Sequence, residues 1–232
     1  MNFEVFLDPA VQALYIRGLW LTLGLLSVSL VASFLLSIPL AILRNSKFGP
    51  IKYTIWAYTY VVRGTPLLLQ LYLIYFGLSQ FQAVRESVTW VVLSDPLYCA
   101  LLALTLNEVA YTTEIFAGAI RQLPHGEIEA AYAFGMKRHT ILRRIILPSA
   151  LRNSLPAYSN EVIILLHSTS LASTVTLMEL TGAANDVYST YYLPFEAFMA
   201  AAAVYMVLTY AVVRLFRFAE KHLLAYQRSR VG

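Results

Sequence analysis

The chain has 232 residues, of which 59% are hydrophobic and only 13% charged, and its mean hydropathy is +0.63. A soluble domain of this length carries about twice that charged fraction, which excludes a soluble enzyme and a free basic surface of the kind that reads nucleic acid. The net charge of +4 is read instead as loop charge beside anionic lipid.

In chain order, the first apolar run extends from Gly18 to Leu43 without a charged residue, longer than the roughly 20 residues a spanning helix needs. Its flank holds Glu4 and Asp8 where a signal peptide would be basic, so this span is expected to remain in the mature protein. Four more spans follow at about 53–81, 96–120, 153–176 and 195–215. The expected fold is all-α, a polytopic membrane protein with five transmembrane helices in a single domain, 1–232. Cys99 is the only cysteine and reads as a packed small residue.

Cations sort strongly by loop. Arg44, Lys47 and Lys52 follow the first span; Arg121, Lys137, Arg138, Arg143, Arg144 and Arg152 follow the third; Arg214, Arg217, Lys221, Arg228 and Arg230 follow the fifth. The other side holds only Arg17 and Arg85, with Glu4, Asp8, Glu86, Asp95, Glu179, Asp186 and Glu196. The positive-inside rule then places the N-terminus outside and the C-terminus inside.

The cytoplasmic loop 121–151 is longer than a connection requires, and long loops in compact domains are commonly functional. Glu127 and Glu129 open a helical segment at its positive end. Ala130, Ala131 and Ala133 favour helix, and Gly135 allows a left-handed turn. Thr140–Leu147 is expected to restart the helix, with Pro148 and Pro156 interrupting the chain as it re-enters the membrane.

Glu129, Ala130, Ala131, Gly135, Ile145, Leu147 and Pro148 match in spacing the EAA loop of permease subunits in binding-protein-dependent ABC importers. The segment Arg63–Pro66 (RGTP) and the pattern Ala110-Tyr111-x-x-Glu114-Ile115-x-x-Gly118 resemble the polar amino acid branch. AYTTEIFAGAIR, PHGEIEAA, LPSALR and PAYSNEV are most similar to the M-type permeases of the histidine, lysine, arginine and ornithine (or opine) branch. The resemblance implies that Glu127, Glu129, Ala130, Ala131 and Gly135 form a coupling helix docking on a cytoplasmic ATPase. It also implies a second permease subunit, a homologue rather than a copy, a dimeric ABC ATPase and an extracytoplasmic solute-binding protein, in a bacterial inner membrane. No phosphate-binding loop is present, so no cofactor is expected in this chain; ATP and magnesium would be bound by the ATPase.

Ionisable groups inside the spans cost about 2.5–3.5 kcal/mol each. Arg63 and Glu161 lie roughly 16 Å and 13 Å along the second and fourth spans from their cytoplasmic ends, at about 1.5 Å per residue, so they can share a depth. Either they pair as structural glue, or Glu161 holds a cationic substrate group while the Arg63–Pro66 break receives a carboxylate. In the second case Gly64 and Thr65 would offer a half-helix end and a hydroxyl, with Gln70 and Asn160 as further contacts. Glu108 is a second candidate for attracting cations. Asn107, Tyr111, Glu114 and Gly118 share a helix face, which marks helix contact or a wet pathway, and Glu114 reads as structural. The serines and threonines between Ser168 and Thr174 are expected to bond their own preceding carbonyls. The outer loops Gln82–Asp95 and Leu177–Pro194, with their acids, are expected to meet the binding protein.

The function expected is therefore a non-catalytic permease subunit of a basic amino acid importer. A stand-alone secondary transporter or channel would call for an internal repeat, and none is seen. A membrane enzyme would call for clustered chemistry, whereas His125, His139, His167 and His222 are scattered.

Overall fold

The structure, a computed structural model, describes residues 3–223; Arg228 and Arg230 of the basic C-terminus lie outside the described residues. All regular structure among the described residues is helical. Helix α1 spans Pro9–Arg44, capped by Asp8, whose carboxylate accepts from the Ala10 amide at 2.8 Å. It starts well before the expected Gly18. One face of α1 carries Thr22, Ser29, Ser33 and Ser37, all fully buried. Small side chains of this kind let helix backbones approach closely, and Ser37 donates to the Val109 carbonyl at 3.3 Å.

The second expected span is not one helix. Helix α2, Gly49–Arg63, ends at Gly64, and the chain resumes as α3, Leu67–Tyr72, running on through a π-helical turn and a 3-10 turn to Gln80, bent by 101°. Pro66, extended at φ −62 and ψ 134, sits at the break, where it biases Thr65 away from helix. Two short helices, α4 (Gln82–Arg85) and α5 (Trp90–Leu93), lie in the connection that follows.

Helix α6, Pro96–Arg121, is capped by Asp95 through the Leu97 amide at 2.8 Å. It packs against α1, α2, α3 and Leu147–Ser168, so its polar residues are sheltered from lipid. The loop contributes α7 (His125–Ala133) and α8 (Arg138–Ile141). A π-helical turn, Leu142–Ile146, leads into α9, Leu147–Ser168, and a 3-10 turn, Thr169–Val175, follows. The two prolines do not interrupt this segment. Pro148 sits in the first turn of α9 directly after the π-helical turn, where its missing N–H costs least, and Pro156 is accommodated inside α9.

The expected outer loop 177–194 contains helix α10, Leu180–Tyr191. Glu179 is its cap: fully buried, it accepts from the amides of Thr181 at 2.9 Å and Gly182 at 3.0 Å and from the Tyr205 hydroxyl at 2.8 Å. Glu179 therefore cannot belong to a binding-protein surface. Helix α11, Pro194–Leu223, completes the fold.

Helices α1 and α11 are long and apolar enough to cross a membrane by themselves, and α2 with α3, and α9 with α10, pass the same test as bent pairs. Trp20, Leu35, Met206 and Val207 are exposed on α1 and α11; an apolar belt of this size needs lipid rather than water. The core gathers Leu25 and Leu26 of α1, Ala103 and Leu104 of α6, and Leu165 and Leu166 of α9. A second cluster joins Phe116, Tyr158 and Val162.

Candidate functional site

The break between α2 and α3 is held by side chains from within it. The Thr65 hydroxyl reaches the carbonyls of Val61 at 3.0 Å and Val62 at 3.3 Å. The Gln70 amide nitrogen reaches the Val62 carbonyl at 2.7 Å and the Thr65 hydroxyl at 2.8 Å, while its oxygen accepts from Asn107 at 3.1 Å. The last carbonyls of α2 are thereby satisfied, and the break is tied to α6. Thr65 and Gln70, expected as substrate donors, have these donors committed to the backbone, because a helix end inside a membrane must satisfy its own polar groups.

Two cavities open beside this break. One, of about 390 Å³, is walled by Arg63–Leu67, Asn107 and Tyr111 of α6, and Glu161, Ile164 and Ser168 of α9. The other, of about 500 Å³, is walled by Arg63, Tyr111, Glu114, Ile115, Arg121, Ala157, Asn160 and Glu161. The structure thus brings together Arg63, Gly64, Thr65, Asn160 and Glu161. Glu108 lines neither cavity; it is buried and accepts from the Thr112 hydroxyl at 2.9 Å.

The carboxylates around these cavities differ in their partners. Glu114 accepts from Arg44 at 2.7 Å and from Thr59 at 2.9 Å, and lies 3.8 Å from Arg121. It clamps α1, α2 and α6 together, as its structural reading expected. Glu161 is 7% exposed, and among the described residues none hydrogen-bonds its carboxylate. Arg63 does not pair closely with it. The Arg63 guanidinium lies over the Tyr111 ring, 5.2 Å from its centre, and the Tyr111 hydroxyl donates to the Arg63 carbonyl at 3.4 Å. Arg63 and Glu161 thus share the walls of both cavities without a direct ion pair among the described residues.

Ala157 and Ile164 join the walls without having been singled out, beside Tyr111 of the polar α6 stripe and Ser168. Ala157, Glu161, Ile164 and Ser168 recur at helical spacing, a signal present in the sequence but diluted by the apolar surroundings. The hydroxyls of Thr169, Ser170, Ser173 and Thr174 each donate to the carbonyl three residues back, at 2.6–2.7 Å, as expected.

On the loop, α7 ends in two crossed bonds, Gly135 N–H to the Tyr132 carbonyl at 2.9 Å and Met136 N–H to the Ala131 carbonyl at 3.1 Å. This closure needs a left-handed residue after the cap, and Gly135 supplies it at φ +75. Ala131 is buried beneath the helix, while Glu127, Glu129 and Ala130 are exposed and Phe134 stands 88% exposed beside them.

Residues 33–224 match the family of binding-protein-dependent transport system inner membrane components. The chain belongs to that family. Among this permease's relatives, the nopaline transport system permease protein NocM of Agrobacterium fabrum is 45% identical over 212 residues, 91% of this chain and 88% of that one. The histidine/lysine/arginine/ornithine transport system permease protein HisM of Salmonella typhimurium is 49% identical over 214 residues, 92% and 91% of the two chains. The crystal structure of an amino acid ABC transporter with histidines superposes with a TM-score of 0.84 at 32% identity, covering 96% of this permease and 99% of that chain. This permease is an inner membrane protein of a binding-protein-dependent transport system, consistent with its apolar helices.

Proposed function

We propose that this permease forms half of the translocation path of an importer for basic amino acids or related opines, with Glu161 receiving the cationic group of the substrate. The carrying observation is the difference between two carboxylates: Glu114 is paired with Arg44 and accepts a hydrogen bond from Thr59, whereas Glu161 faces both cavities without a hydrogen-bonding partner among the described residues. A poorly compensated intramembrane acid on a cavity wall is a functional site by physical default. The Gly64–Pro66 break lies across the cavity and is read as the receiver of the substrate carboxylate. HisM and NocM, named for the transport of basic amino acids and of nopaline, support this substrate class.

In this reading the chain spans the membrane five times, with α2–α3 and α9–α10 as bent segments, α6 as the sheltered central span, the N-terminus outside and the C-terminus inside. The domain is 1–232, with α7 as the coupling helix. Its exposed Glu127, Glu129 and Ala130, together with Phe134 at the end of the helix, meet a cytoplasmic ATPase, and Gly135 sets the turn behind them. That partner binds ATP and magnesium and performs the hydrolysis, so this chain is not itself an enzyme. The partner permease is a homologue, and an extracytoplasmic binding protein delivers the solute.

The test is uptake by the whole importer reconstituted with its ATPase and binding protein. Glu161→Gln is expected to lower arginine and lysine uptake about tenfold more than that of citrulline, the neutral isostere of arginine, since a charge-assisted bond is roughly twice as strong as a neutral one. Equal loss for charged and neutral solutes would refute the role of Glu161.

A further inference from the structure

The two cavities share three wall residues: Arg63, Tyr111 and Glu161. Along α6 the first cavity takes Asn107 and Tyr111, and the second takes Tyr111, Glu114, Ile115 and Arg121. Along α9 the first takes Glu161, Ile164 and Ser168, and the second takes Ala157, Asn160 and Glu161. The compartments are therefore stacked along the helix axes, and the shared trio forms the partition between them.

The partition contains one carboxylate, one aromatic face and one tethered cation. Arg63 lies 5.2 Å from the centre of the Tyr111 ring, inside the roughly 6 Å range of a cation–π contact. The hydroxyl of Tyr111 anchors the ring to the end of α2 through the Arg63 carbonyl. Arg63 also lines a third cavity of about 550 Å³ with Tyr60, Val61, Gly64 and Thr65, so its long side chain has space into which it can swing away from the ring.

We propose that Tyr111 is a specificity-determining residue whose ring is a cation seat, held by Arg63 when the path is empty and taken over by the guanidinium or ammonium group of a cationic amino acid in transit. The proposal rests on the reading of Glu161 given above and adds the group that excludes neutral solutes. An incoming cation replaces Arg63 on the ring with a like contact and gains Glu161. A neutral side chain of the same shape would displace Arg63 without restoring the contact. Specificity is a difference between competing states, and Arg63 is the built-in competitor.

The experiment measures L-arginine and L-citrulline binding to the purified permease–ATPase complex without binding protein, using calorimetry or competition. Tyr111→Phe keeps the ring and is expected to hold the arginine-to-citrulline affinity ratio within about twofold. Tyr111→Leu is expected to lower that ratio about tenfold by tightening citrulline, which no longer has an Arg63–ring contact to break, while arginine affinity stays nearly level. A series of increasingly fluorinated phenylalanines at position 111 preserves shape while draining the ring face, so citrulline affinity is expected to rise stepwise as the Arg63 contact it must break weakens, and arginine affinity to stay level. A flat fluorination series, an unchanged ratio in Tyr111→Leu, or equal loss of both ligands would overturn the role of Tyr111 and leave that of Glu161 standing. Absence of any arginine preference in the unsubstituted complex would overturn both readings.

Discussion

Glu114 and Glu161 show how little a side chain's identity says until its partners are known. Both are carboxylates on the wall of one cavity. Glu114 is claimed by Arg44, whose guanidinium lies 2.7 Å away from a position 70 residues earlier, and both side chains are largely buried. Removing one partner of such a pair strands the other charge, at a cost of about 3 kcal/mol. Glu114→Gln and Arg44→Gln are each expected to lower the thermal stability of the purified complex markedly, and the double variant to regain part of the loss. Additive losses would show that the clamp contributes nothing. The structural role of Glu114 was legible from the shared face of Asn107, Tyr111, Glu114 and Gly118. Arg44 as its partner was not, because nothing local distinguishes it from the other loop cations. The intrachain partners of Thr65 and Gln70 were not legible for a related reason: their polar groups serve the broken end of α2, a demand that exists only once the break has a geometry.

Among the elements, the least legible was α10. Its sequence is polar enough to pass for a loop, and its helix is held by a buried cap and close packing on α1. A methyl group on Gly182 would lie 2.5 Å from the Leu177 carbonyl oxygen, and one on Gly18 would lie 3.0 Å from the Glu179 backbone. Gly24, also on α1, has open space around it. Gly182→Ala is therefore expected to destabilise the complex by about 1–3 kcal/mol, read as a lowered melting midpoint, whereas Gly24→Ala, unobstructed within α1, should hold or slightly raise the midpoint. Equal midpoints for the two variants would refute the tight packing of the first turn of α10 against Leu177. The start and end of α6 agree closely with the sequence expectation, since Asp95 with Pro96 starts the helix and Arg121 closes it. What periodicity could not say is that α6 is the centre of the fold, ringed by α1, α2, α3 and α9. That position explains how it carries Asn107, Glu108 and Glu114 at tolerable cost.

For the molecule as a whole, function depends on sidedness. If the loop after α6 is the handle for an ATPase, Phe134 lies in the cytoplasm and Tyr192, 81% exposed at the end of α10, lies outside. In a Cys99→Ala background, Phe134→Cys is expected to react with a membrane-impermeant maleimide only in inside-out vesicles, and Tyr192→Cys only in right-side-out ones. The reverse pattern would invert the topology and remove the coupling role of α7.

The sequence by itself determined that this chain lives in a membrane, where its helices roughly lie, and which loop carries the coupling pattern. Insertion and charge sorting depend on local composition, and the loop pattern depends on close spacing along the chain. Only the tertiary structure decided that Glu114 is paired with Arg44 while Glu161 has no hydrogen-bonding partner among the described residues, and that cavities lie beside a chain bend of 101°. Neutralisation and enclosure are made by groups distant in sequence, so they exist only after the helices have packed.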